Sequence, residues 1–143
     1  MKTYEIKLKA EEKEIKVHLR LTAGGLRKLK EKYDEEGMSL LMSSFQDIDR
    51  IIDIFDAALN YKNNDNEITD GEQLYDLLVD NSICGVEGFQ KILTDIAINS
   101  GILTKQQGNT VQKLVKNTFE DAFADIENTK IDMHSTEEKE EKN

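Results

Sequence analysis

Proline and tryptophan are absent from the 143 residues, and cysteine occurs once. Without proline the helices run free of ring clashes, and the chain has no stiff linker or polyproline recognition segment. The lone Cys84 excludes an internal disulfide. No apolar run approaches the roughly 20 residues that a bilayer-spanning helix needs. The opening stretch MKTYEIKLKAEEKEI alternates charged and apolar residues where a signal peptide has an uninterrupted apolar centre. A cytoplasmic protein with no membrane segment is expected. Aromatic residues make up only 6% and charged residues 34%, so the core should be thin and aliphatic. The length suits a single domain that buries its core without disulfide or metal.

What is present is charge, unevenly placed. Residues 1–32 hold ten Lys/Arg against five Glu, and residues 33–143 hold nine against 24 acids, so a segment of +5 precedes a body of −15. An acidic body disfavours nucleic-acid backbones, whose affinity comes largely from Lys and Arg neutralising phosphates. The basic residues of the first segment interleave with apolar ones, as on a solvated strand face. No nucleic-acid partner is expected.

Tyr4, Ile6 and Leu8 alternate with Glu5, Lys7 and Lys9, and after a polar turn Ile15, Val17, Leu19 and Leu21 alternate with Lys16, His18 and Arg20. This period of two predicts a hairpin over 3–21 with one apolar face, and a bare hairpin is marginal in water unless that face is covered. Thr22 is placed to cap a helix over about 23–36, with Leu26, Leu29 and Tyr33 on one face and Gly37 as its end. The pair Gly24-Gly25 weakens the first turn by roughly 1 kcal/mol per residue relative to Ala. It reads as a packing device that lets Leu26 and Leu29 close over Val17, Leu19 and Leu21. A phosphate cradle would need a third glycine or a following GK[ST], and neither is there.

Met38 to Ser44 reads as a helical turn with Leu40 and Leu41 inward. Ile48, Ile51, Ile52, Phe55 and Leu59 mark a core helix over 46–60, opposite Asp47, Asp49, Arg50, Asp53 and Asp56. With no His or Cys among them, those acids read as a solvated face. The Asn-rich loop 60–66 fails as a calcium loop in both registers, since glycine and the bidentate acid cannot both be placed. Thr69-x-x-Glu72 reads as a capping box for a helix over 70–80, and Val86, Phe89, Ile92, Leu93, Ile96 and Ala97 trace another over 86–100, closed by Gly101. Thr104-x-x-Gln107 is a second capping box. From it Val111, Leu114, Val115, Thr118, Phe119, Ala122, Phe123 and Ile126 run at spacings of three and four over a helix at 105–128. Residues 129–143 are a charged, low-complexity tail expected to be disordered.

The fold expected is α+β and mostly α: an N-terminal two-strand hairpin packed on a bundle of about four to five helices, in one domain over 1–128. No catalytic pair, cofactor motif or metal-ligand spacing appears, so a non-enzyme without cofactor is expected. Cys84 has no histidine assigned beside it, because His18 sits on the polar strand face and His134 in the tail. The stripe on the last helix is either core or a ridge, Val111, Leu114, Val115, Phe119 and Phe123, that docks a partner's helix or a second copy of the chain.

The order of elements resembles the small tail assembly chaperones of long-tailed bacteriophages over roughly residues 1–103. The matching residues are Leu19-Arg20-Leu21-Thr22-Ala23-Gly24-Gly25-Leu26 with Leu29-Lys30-Glu31, then Gly37-Met38-Ser39-Leu40-Leu41. The basic hairpin edge and the helix over 105–128 depart from that pattern. The resemblance implies a protein that keeps the tape-measure protein soluble and helps bring tail-tube subunits to it. It also implies a longer form made by frameshifting, and Glu141-Lys142-Asn143 can be encoded by a slippery A AAA AAC run. A different class of function, an acidic decoy occupying a basic nucleic-acid-binding site, is suggested by the −15 body.

Overall fold

The alternating residues at the N-terminus do form the hairpin. In the computed structural model, which describes residues 3–59, 68–118, 120–122 and 124, β1 (Tyr4–Ala10) pairs antiparallel with β2 (Lys13–Leu19), from Tyr4 opposite Leu19 to Ala10 opposite Lys13. Leu8, Val17 and Leu19 are buried on one face, while Glu5, Lys7, Lys9 and Lys16 are exposed. The loop is two residues long, and both Glu11 (φ 51°) and Glu12 (φ 70°) lie in the left-handed region that a type I′ turn demands. Asn-Gly would take that shape cheaply; glutamate holds it at a cost of roughly 1–2 kcal/mol per residue.

Thr22 caps α1 (Ala23–Tyr33), its hydroxyl accepting from the Gly25 amide at 3.2 Å. The helix stops earlier than expected, at Asp34 (φ 54°, ψ 33°), whose amide donates to the Lys30 carbonyl at 2.7 Å. Asp tolerates the left-handed conformation better than most residues, so Gly37 is not the stop. Gly37 instead opens α2 (Gly37–Ser44), a helix of eight residues with Leu40, Leu41 and Ser44 buried. Nor does the glycine pair bring α1 onto the sheet. A Cβ at Gly25 would meet Ala57 at 3.6 Å, and one at Gly24 would meet only Thr22 Oγ1 at 3.8 Å, both ordinary contacts.

The organising element is α3 (Ile48–Leu59), which touches α1, α2, β2, α4 (Gly71–Asp80) and α5 (Gly85–Asn99). Neighbours on several sides widen its buried face to Ile51, Ile54, Phe55, Ala58 and Leu59. Ile48, expected in the core, sits at the exposed start of the helix. Phe55 is fully buried and meets Phe89 at a ring-centroid distance of 6.3 Å, and Phe89 in turn stacks on Tyr75 at 4.8 Å. Removing a ring buried this way costs about 3–5 kcal/mol in comparable cores.

At α4 the cap is one residue later than expected. Asp70, not Thr69, accepts from the Gln73 amide at 2.9 Å, while the Thr69 amide donates to Gln73 Oε1 at 2.8 Å. The shift places Gly71 against α3, where its amide donates to Asp56 Oδ1 at 3.1 Å. A Cβ there would lie 2.2 Å from the Ile52 carbonyl oxygen and 2.8 Å from the Asp56 nitrogen, so only glycine fits. Asn81, at the far end of α4, reaches the sheet. The Lys9 amide donates to Asn81 Oδ1 at 2.8 Å, and Asn81 Nδ2 donates to the Lys9 carbonyl at 3.0 Å and to Leu77 at 2.8 Å.

Gly101 (φ 82°) closes α5 as expected: Ile102 donates to Ala97 at 3.0 Å and Gly101 to Ile98 at 3.3 Å, the paired bonds of a Schellman motif. The buried Thr94 hydroxyl is satisfied by the Gln90 carbonyl at 2.7 Å, and Ser44 by Leu41 at 2.6 Å. Residues 105–118 are helical and form α6. The chain groups into two compact units, Met1–Gln112 and Lys113–Asn143; the hairpin and α1 to α5 belong to the first. The fold among the described residues is therefore α+β, a two-strand hairpin with six helices. No helix among them is long and apolar enough to cross a membrane.

Candidate functional site

The ridge on the last helix starts from the capping box that its sequence predicts. Gln107 donates its amide to Thr104 Oγ1 at 3.1 Å, and Gln107 Oε1 accepts from the Thr104 amide at 2.9 Å. One turn on, a Cβ at Gly108 would come within 2.3 Å of Ile98 Cδ1, so α6 enters close to α5. Val111 is 6% exposed and Val115 5%, one turn apart on one face, whereas Leu114 is 58% exposed. The structure thus separates three apolar residues that share a stripe in the sequence. Phe119 and Phe123 lie outside the described residues.

Exposed apolar side chains also occur outside the last helix, Val79 on α4 among them. Met38 and Met42, 42% and 39% exposed, stand one turn apart on α2, opposite the buried Leu40, Leu41 and Ser44. Ile48 is 54% exposed at the start of α3. The signal was available in MSLLMSS: an i,i+4 methionine pair flanking an inward Leu pair gives the helix two apolar faces, and the core of the first unit takes only one. Methionine is unbranched and polarizable, so it conforms to irregular partner surfaces.

Beside this helix lies an ion-pair network in place of a simple solvated acidic face. The Arg50 guanidinium donates to Glu35 at 2.8 Å and also to Asp47, and its carbon stacks 4.5 Å over the Tyr33 ring. Asp53 accepts from the Tyr33 hydroxyl and from Lys32 Nζ, the latter at 2.6 Å. The Ser43 hydroxyl at 2.6 Å, followed by Arg50, holds the Glu35 carboxyl below its ordinary range. The Arg50 amide does the same for Asp47, with the guanidinium adding to it. Burial and then the Asp53 bond push the Tyr33 phenol up to about 12. Because the two carboxyls titrate low in the fold, their stabilisation is present above the ordinary carboxylate pKa and is lost as pH falls through the lowered values. The arrangement ties α1, α2 and α3 together and favours the charged form of the Glu35 and Asp47 carboxyls, which suits a structural role.

A second titratable pair joins β1 to α5. Burial, then Asp95, raises the Tyr4 phenol to about 12, and desolvation raises the Asp95 carboxyl above its ordinary value. Asp95 Oδ1 also accepts from Gln112 at 3.5 Å. Among the described residues no three His, Cys, Asp or Glu side chains come together to hold a metal. Cys84 is exposed at the start of α5 and its side chain makes no capping bond. His18 pairs with Thr3 Oγ1 at 3.1 Å and Glu5 at 3.9 Å. His134 and the Asn-rich loop 60–66 fall outside the described residues.

The apolar cleft lined by Leu21, Leu40, Leu41, Ile54, Leu93 and Ile102 has a volume of about 10 Å³. That is room for one water at most, against the roughly 300–1,000 Å³ of a small-molecule site. Compared with protein-family models, curated proteins and solved structures, the chain finds no match in any of the three.

Proposed function

We propose that this protein is a non-catalytic, cytoplasmic assembly chaperone that keeps an apolar, helix-rich client soluble. By the resemblance of its sequence to the tail assembly chaperones of long-tailed bacteriophages, that client is the tape-measure protein, with tail-tube subunits brought to it. The observation that carries this reading is the set of exposed apolar side chains, Met38, Met42, Ile48, Val79 and Leu114, on a chain of net charge −10. A holdase needs apolar surface for its client's exposed seam and like charge around it to keep the complex dispersed. Of the ridge expected on the last helix, Leu114 is the exposed residue open to a client, whereas Val111 and Val115 are buried. Glu35, Asp47 and Asp53 already face Arg50 and Lys32, so they add little to an acidic decoy surface.

The test is co-expression with a candidate tape-measure protein, scoring the fraction of it that stays soluble. The wild-type chain should raise that fraction. The double variant Met38→Ser, Met42→Ser, exposed enough to leave the fold intact, should lose most of the effect. A client equally insoluble with and without this protein, or salt-sensitive inhibition of a basic nuclease instead, would overturn the reading.

A further inference from the structure

The first strand carries an open backbone edge, and its residues complement themselves. Asn81 takes both the amide and the carbonyl of Lys9, so these groups point away from β2. Backbone direction alternates along a strand, so the amides and carbonyls of Glu5 and Lys7 point the same way. The sheet ends there, since β1 and β2 are its two strands among the described residues, and no further strand or side chain pairs with Glu5 or Lys7 on that side. Among the described residues the outward backbone groups from Thr3 to Lys7 thus make no hydrogen bond, while those of Lys9 are closed by Asn81.

Charge then selects an occupant. Glu5 and Lys7 are both exposed and carry opposite charges two residues apart along this edge, with Glu5 3.9 Å from His18. We propose that a second copy of this chain pairs β1 to β1, antiparallel about a two-fold axis at Ile6, to make a four-stranded sheet. Glu5 of each copy then faces Lys7 of the other, and each such pair exchanges both backbone bonds, about four in all. A carboxylate is thereby brought to each Lys7. The neighbouring registers do worse. Shifting the axis to Lys7 opposes two lysines and needs the Lys9 groups that Asn81 holds, and shifting it to Glu5 opposes two glutamates. An isologous contact closes on itself, so the edge is consumed by dimerisation and cannot propagate a fibre. This inference does not depend on the chaperone reading.

The test is sedimentation equilibrium of the full chain over a wide concentration range. A concentration-dependent dimer is expected, because an edge this short buries little surface. Glu5→Lys alone, or Lys7→Glu alone, should weaken it by about tenfold or more, with the circular dichroism spectrum unchanged. The two single variants mixed should form a heterodimer, because each then faces its opposite charge, and the double exchange Glu5→Lys, Lys7→Glu should restore the homodimer. A chain that stays monomeric at every concentration would overturn the proposal. So would a dimer indifferent to Glu5→Lys, which would place the contact on another surface such as the last helix.

Discussion

Two helices set their first turns against α3, and each carries glycine there. At α1 the nearest atom to a Cβ on Gly25 is Ala57 Cβ at 3.6 Å, which any alanine would tolerate. At α4 a Cβ on Gly71 would overlap the backbone of Ile52 and Asp56, and backbone cannot move aside as a side-chain tip can. The same residue at nearly the same helical position is optional in one place and required in the other. What separates them is the distance to the neighbouring main chain, a property of the assembled fold. The hairpin turn supplies the converse case: Glu11 and Glu12 occupy conformations that favour glycine and asparagine.

Gly71→Ala should break the comparison most visibly. It forces α4 off α3, and we expect a loss of about 3–5 kcal/mol in urea unfolding, in the range of severe core lesions. A midpoint equal to wild type would show that the helices do not approach so closely. At the turn, the double change Glu11→Asn, Glu12→Gly should stabilise the protein by about 1–2 kcal/mol, because it removes two left-handed residues bearing long side chains. An unchanged thermal midpoint would mean that the turn has another shape in solution. Gly24→Ala should have the smallest effect, a gain of about 0.5–1 kcal/mol from restored helix propensity. Any loss from that change would reveal a close neighbour at the junction and make the two glycine sites alike.

Elements set by short-range spacing were legible in the sequence. The alternation over residues 4–21 gave the strands, Thr22 the first cap, Thr104 with Gln107 the reciprocal cap, and Gly101 the end of α5, since each depends on atoms within a few residues. What depended on distant chain was not. Asp34 ends α1 although Gly37 stood nearby as the conventional stop, and Asp70 takes the cap of α4 because Gly71 must face α3. The acids of α3 looked like a solvated face because nothing in their spacing says that Glu35 and Tyr33 will come to meet Arg50. The candidate site was half legible. Spacing placed Val111, Leu114 and Val115 in one stripe, but only the packed chain shows that Leu114 alone of the three remains exposed.

The Asn81 amide has a further consequence for how the protein ages. Its nitrogen donates to two carbonyls at once, those of Lys9 and Leu77. Deamidation to aspartate would exchange that donor for a charged oxygen, leaving both carbonyls facing an acceptor. The Lys9 amide would keep an acceptor in the new carboxylate, but the Lys9 carbonyl would lose its donor, so the clasp between the end of α4 and β1 would hold from one side only. Hydrolysis of a single side chain would thus loosen a tie between residues 72 positions apart in the chain.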